Sequence, residues 1–266
     1  MNIVCFGAHP DDGEVYAGGT LVKWSKAGHR VLLVSLTNGD AGHHEMGGGP
    51  LARRRLAEAR RSAEIGGFHE RILDYHDGEL MPTMALRKDI VRIIREWEAD
   101  IVLSHRPYDY HPDHRYAAMA VRDAAYMVMV PNFCPDIRPL RKNPVFLYMM
   151  DGFTRPVPFR TDVAVDVGDV METKWAMLHT MDSQFYEWLP WVGGTDEVIP
   201  SDDGERLTWL KAQWDGYFRS HTDKSGDALV ARYGAEAARE IAYVERFELC
   251  EYGECPSMDK LYPLFP

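Results

Sequence analysis

Two short segments concentrate side chains that can hold a metal ion and move protons: His9-Pro10-Asp11-Asp12 near the N-terminus, and His111-Pro112-Asp113-His114 far downstream. Two imidazoles and one carboxylate form a common zinc set that leaves a fourth position for water. A metal so held lowers the pKa of its bound water from about 16 towards about 7, which makes hydroxide available at neutral pH. A second carboxylate that is not a ligand can take the water's proton. The adjacent Asp11 and Asp12 suit that division, and residue type alone leaves open which does which. Each cluster contains a proline, which fixes the backbone and keeps the preceding histidine out of helical geometry. The plain alternative is that Asp11 or Asp12 merely caps a helix beginning near Gly13. That accounts for neither His9 nor His114.

The flanking residues must place both clusters on one rim. Asn2–Gly7 reads as a buried strand, Ala17–Ala27 as a helix closed by Gly28, and Arg30–Leu36 as a second strand. A Gly- and His-rich loop over Thr37–Pro50 leads to a helix over Leu51–Ile65. Strands at Ile72–Tyr75, Asp100–Ser104 and Val145–Met150 then alternate with helices at Leu86–Glu98 and His114–Val130. This alternation predicts an α/β fold: a Rossmann-like three-layer sandwich with a mostly parallel sheet. Ligands of such sheets sit beyond the carboxyl ends of the strands, where both clusters fall. Past residue 160 the pattern changes. Asp162–Val167 alternates like an edge strand, while Met171–Met181, Leu207–Arg219 and Asp227–Glu240 read as helices. One domain over residues 1–266 is expected, with a core to about residue 170 and a C-terminal elaboration after it.

Composition narrows the partners. The 266 residues carry a net charge of −11, which disfavours phosphate backbones and anionic lipid. Arg53–Arg55 with Arg60 and Arg61 are a local exception, read as a helix face. No apolar run reaches the roughly 20 residues of a membrane span, and no secretory signal precedes the first strand. Four scattered cysteines fit a reduced, cytoplasmic setting. Cys250 and Cys255 have no second pair to complete a metal site.

With these motifs in view, the chain resembles the PIG-L/LmbE-like zinc deacetylases, which act on N-acetylated sugars and related compounds. The resemblance rests on His9-Pro10-Asp11-Asp12, Gly18-Gly19-Thr20, Thr37-Asn38-Gly39-Asp40, Arg55 with Glu58-Ala59, and His111-Pro112-Asp113-His114. It covers roughly residues 1–130, with weaker echoes in Ser183-Gln184, Tyr233-Gly234 and Glu245-Arg246-Phe247-Glu248. It implies His9, Asp12 and His114 as ligands of one Zn2+ ion. It also implies Asp11 as general base, His111 as the group that stabilises the oxyanion or protonates the leaving amine, and Arg55 on the substrate side. Gly13-Glu14-Val15-Tyr16 departs from the family's usual stretch, so Tyr16 either narrows the pocket floor or only packs. The substrate implied is a small N-acylated molecule, with N-acetylglucosamine-type sugars foremost.

Several other residues are candidates for shaping the substrate site. Asp40 and His43 lie in the loop after the second strand, with His44 beside them. Gly47-Gly48-Gly49 lacks the Lys-Ser/Thr of a phosphate loop and reads as a mobile loop, with a lid as the alternative. Tyr108 and Asp109, just before the second cluster, either bind hydroxyls or hold their loop. Trp188 belongs to the aromatic run Phe185–Trp191, read either as a carbohydrate wall or as packing against the C-terminal part. A dinucleotide-binding dehydrogenase would need G-x-G-x-x-G after the first strand, where Gly7-Ala8-His9-Pro10-Asp11-Asp12 stands instead. A non-catalytic metal-binding module and a metal-dependent esterase or phosphatase are the remaining alternatives. Oligomeric state is open, and a homo-oligomer is compatible with the sequence.

Overall fold

The computed structural model describes residues 1–266, with side-chain detail for all but residue 197. Seven strands form one sheet in the order β3-β2-β1-β4-β5-β7-β6. They are β1 (Asn2–Gly7), β2 (Arg30–Thr37), β3 (His69–Tyr75), β4 (Ile101–Ser104), β5 (Val145–Met149), β6 (Val163–Asp166) and β7 (Val244–Leu249). The pairs β1–β2, β2–β3, β1–β4 and β4–β5 are parallel, whereas β7 runs antiparallel to both β5 and β6.

Two apolar layers enclose the sheet because successive strand residues point to opposite faces. Ile3 and Cys5 of β1 join one layer, and Val4 and Phe6 join the other. The first layer takes up α1 (Asp12–Lys26), part of α2 (Gly48–Gly66) and α5 (Met171–His179). The second takes up α3 (Met84–Glu96) and α4 (Pro112–Met127). The expected three-layer α/β architecture is therefore present. Strand order reverses between β1 and β4, whose following segments carry the two His/Asp clusters. This is the switch point at which α/β sheets open a crevice.

The chain after α5 departs from expectation. It continues through a π-helical segment (Ser183–Trp188), α6 (Leu189–Gly193) and α7 (Asp203–Asp223). The helix expected over Asp227–Glu240 is instead two short ones, Gly226–Tyr233 and Ala235–Ala238, divided at Gly234 with φ 82°. The expected elaboration also returns a strand to the sheet: β7 lies between β5 and β6, inside the fold. Its sequence Val-Glu-Arg-Phe-Glu-Leu conceals this because half of its residues are charged. Burial becomes tolerable where charges are paired and hydrogen-bonded. Glu245 pairs with the equally buried Lys174 at 2.7 Å and accepts the Gly19 and Thr20 amides of α1 at 2.8 and 2.7 Å.

Helix α1 starts at Asp12, well before the expected Ala17, and α2 starts at Gly48. Gly48 and Gly49 thus open a helix and do not lie in a loop or lid. Low glycine propensity misplaced both boundaries. Packing selects Gly13, where a Cβ would lie 2.2 Å from Leu33 Cδ1, while the exposed Gly48-Gly49-Pro50 opens α2 with a proline in the first turn, where proline is favoured.

Candidate active site

The first cluster follows β1 directly and is pinned there by β2. Thr37 donates to the Ala8 carbonyl from both its amide and its hydroxyl at 2.8 Å, and Ser35 Oγ donates to the His9 carbonyl at 3.2 Å. Gly7 permits the tight return of the chain, for a Cβ there would lie 2.9 Å from Asp12 Cβ. Neither aspartate acts as a side-chain helix cap. Asp11 occupies the N-cap position of α1 without a capping hydrogen bond, and Asp12 Oδ2 accepts the His9 amide at 2.7 Å. The second cluster starts α4, with Pro112 in its first turn.

Folding brings the implied ligands together. His9 Nδ1 lies 3.2 Å from His114 Nε2 and 3.5 Å from Asp12 Oδ2, and His114 Nε2 lies 3.3 Å from Asp12 Oδ1. Donors about 2.0 Å from a tetrahedral ion stand about 3.3 Å apart, so these spacings, taken over both Asp12 oxygens, are compatible with a small divalent ion. Other close donor groups, His9–His111–His114, Asp12–His105–His114 and His9–Asp77–Asp113, overlap this one. The outward-facing atoms separate ligand positions from supports. His9 Nε2 faces Asp77 Oδ1 at 3.1 Å and Asp113 Oδ2 at 3.3 Å. His114 Nδ1 contacts Asp109 Oδ1 at 3.1 Å, as an ion pair and not as a well-aligned hydrogen bond. His105 Nε2 lies 3.0 Å from Asp12 Oδ2. Each implied ligand thus has a polar partner on its far side, the arrangement that orients metal-binding side chains.

Charge points the same way. Asp11, Asp12, Asp77, Asp109 and Asp113 surround the site, against one guanidinium, that of Arg55. Burial opposes charge on His9, yet the Asp113, Asp12 and Asp77 carboxylates raise its proton affinity well above normal. Burial likewise opposes charge on His114, but Asp12 and Asp109 bring it up to about 9. A field that favours protons on these rings also favours a cation between them.

Asp11 and His111 stand beside this set with functional atoms uncommitted. Asp11 Oδ2 accepts from Arg55 Nη2 at 3.1 Å. Burial raises the Asp11 pKa, against the lowering effect of Arg55. His111 caps α4, its Nδ1 accepting the Asp113 amide at 3.2 Å. That bond fixes the tautomer and leaves the proton on Nε2. Burial, then the charges of His9 and His114, lower the His111 pKa and favour the neutral ring.

Residues 4–125 match the family model described as PIG-L, GlcNAc-PI de-N-acetylase. The diacetylchitobiose deacetylase of Thermococcus kodakarensis is 36% identical over 197 residues, which cover 71% of this chain and 73% of that protein. The chain belongs to the PIG-L family. As a member of that family it is a hydrolase of amide bonds. The fold is shared with the N,N'-diacetylchitobiose deacetylase of Pyrococcus horikoshii (TM-score 0.73, 24% identity, 94% of this chain and 84% of that one). It is shared equally with GalB, the 4-carboxy-2-hydroxymuconate hydratase of Pseudomonas putida (TM-score 0.73, 20% identity, 97% and 98%). Fold alone therefore does not select the chemistry of a PIG-L-like chain.

The PIG-L site of this chain opens into a cavity of about 660 Å³. Of the substrate-side candidates, Arg55 and Trp188 line it. Arg55 is nearly fully buried and bonds the Gly39 and Pro10 carbonyls at 3.3 Å, so it braces Asp11 as well as facing the cavity. Asp40, His43 and Tyr108 lie outside the lining. Asp40 pairs with His76 and accepts the Asp77 amide. His43 holds Glu187 at 2.7 Å. Tyr108 points outward beside Arg106, while its neighbour Tyr110 lines the cavity. Asp109 holds its loop by accepting the His111 amide at 2.9 Å.

Sequence reading quoted Gln184 only as a weak family echo and missed Asp77, Gln213, Trp214 and Tyr217, all in the lining. Asp77 had a usable signal, since it follows β3 on the same rim. Trp214 and Tyr217 had none, because nothing local marks which turn of α7 meets the sheet edge. Tyr16 lines the floor, 5.7 Å from the His105 ring centre.

Proposed function

We propose that this PIG-L enzyme removes the acetyl group from the nitrogen of an N-acetylglucosamine-type sugar or sugar conjugate, with Zn2+ as its cofactor. The observation carrying this reading is the convergence of the His9, Asp12 and His114 donors with Asp11 and His111 on one cavity. A zinc ion held by those three residues would supply Lewis acidity to water and to the amide carbonyl.

The chain's own groups divide the remaining work. Asp11 accepts a proton from the attacking water, and burial raises its affinity for that proton. Arg55 holds one Asp11 oxygen and so orients the carboxylate. The water oxygen bonds to the carbonyl carbon while the carbonyl oxygen gains negative charge. His111, with Nδ1 committed to backbone, offers its Nε2 proton to that oxygen. Asp11 then returns its proton to the nitrogen as the C–N bond breaks, giving acetate and a free amine. The Asp109, Asp113 and Asp77 carboxylates hold the rings of His114 and His9 in place.

The test is a panel of N-acetyl sugars and conjugates, with matched esters and phosphate esters, assayed for released amine and acetate. Zinc-loaded and chelated protein are compared side by side. Amine release that disappears on chelation and returns with zinc is expected. Turnover of esters or phosphates alone, or no release from any amide, overturns the reading.

A further inference from the structure

One polar group in the cavity has no role in the chemistry described above. Gln184 is 3% exposed, yet it lines the cavity. Its Nε2 donates to the Gly42 carbonyl at 3.0 Å and to Ser183 Oγ at 3.1 Å. These bonds fix which end of the amide is which, because an oxygen facing the Gly42 carbonyl would be repelled. Ser183 is itself held: Glu58 accepts its amide at 3.0 Å and its hydroxyl at 2.5 Å. The π-helical turn spanning Ser183–Trp188 contributes as well. Its wider spiral puts Gln184 and Phe185 on the same side as Trp188 and Leu189, and all four line the cavity.

Among the described residues, Gln184 bonds only through Nε2, and no donor reaches its Oε1. That oxygen lies near the open side of Gly42: a Cβ built there would be 3.8 Å from Oε1 and 3.2 Å from both Arg55 Nη1 and Asp77 Oδ2. Glycine at 42 keeps that space open. Nε2 is held by protein while Oε1 is open to the cavity, so a ligand hydroxyl that enters can donate to an acceptor already in place.

We propose that Gln184 is a specificity-determining residue, its Oε1 accepting a hydrogen bond from one hydroxyl of the substrate's sugar ring. This rests on the sugar reading above. Glu58 and Ser183 act as positioning residues for that amide. The site then reads one hydroxyl beside the bond it cleaves, and a substrate lacking that hydroxyl leaves Oε1 unpaired.

The test is a set of N-acetylglucosamine glycosides, each lacking one ring hydroxyl, assayed with wild type, Gln184→Met and Gln184→Glu. Wild type is expected to lose about tenfold or more in kcat/KM for one particular deoxy compound. Gln184→Met, similar in length but without an acceptor, should lose that one penalty and keep the others. Gln184→Glu retains an oxygen at the Oε1 position and should keep part of the penalty. Thermal melts establish that each variant is folded; if Gln184→Met does not fold, retention or loss of the single penalty in Gln184→Glu decides. A folded Gln184→Met with every deoxy penalty unchanged overturns the proposal while leaving the sugar reading intact. No turnover of any of these sugars by wild type overturns the sugar reading, and this proposal with it.

Discussion

The catalytic rim and the wall opposite it are built in different ways. The rim comes from segments following β1 and β4, which are neighbours in the sheet, so two tetrapeptides deliver nearly all of its chemistry. Their positions are over-determined: Asp12 alone engages the His9 amide, His105 and His114. The wall comes from the π-helical turn and α7, and it is assembled through contacts to distant residues. Arg54 holds Glu187 with two bonds of 2.7 and 2.6 Å, His43 shares that carboxylate, and the His44 ring stacks on Trp191, which stacks on Trp188. Most of the wall is apolar and aromatic, where the rim is charged. The difference teaches that, under the proposed function, reactivity and selectivity are separable: the charged rim would set what bond is broken, and the wall which molecule presents it.

Substitutions can break that division. The largest effect is expected from His9→Ala or His114→Ala, which removes a proposed ligand and leaves buried aspartates facing one another. Metal content by elemental analysis and amide hydrolysis should both fall to background. Next comes Asp11→Asn. Loss of the proposed general base should lower kcat by about 10²–10⁴-fold. Metal content stays near wild type, and normal turnover would remove Asp11 from its role. His111→Ala should cost about 10²–10³ in kcat, comparable to losing one oxyanion donor. Its KM should move little, because the bond strengthens as charge develops.

On the wall the expected pattern reverses. Trp188→Ala should raise KM by about tenfold with kcat nearly unchanged, through the loss of an aromatic face worth about 1–2 kcal/mol of binding. A fall in kcat instead would show that the wall aligns the reacting bond. The smallest effect is expected for Tyr108→Ala, outside the cavity, where kcat/KM should stay within about twofold of wild type. A large loss there would mean that the loop before the second cluster moves in catalysis.

The legibility of each region follows from its construction. Asn2–Gly7 was readable to the residue because both of its faces are buried from Ile3 on, where every position is apolar or small. Val244–Leu249 was not readable, since its charges are neutralised by Lys174 and others far away in sequence. The arginine run illustrates both cases. Arg53 points to solvent, Arg54 to the wall and Arg55 into the site, and no propensity rule distinguishes three identical neighbours.

The sequence by itself determined which candidate groups share one rim, because proline-locked His/Asp tetrapeptides directly after or closely following parallel strands can point in few directions. Only the tertiary structure decided their supports and surroundings. Asp77, Asp113 and Asp109 became orienting partners, Gln184 a fixed acceptor, and Trp214 and Tyr217 cavity walls, since those roles depend on which helix turn packs where. Short-range geometry limits the first set, while long-range packing alone brings the second into contact.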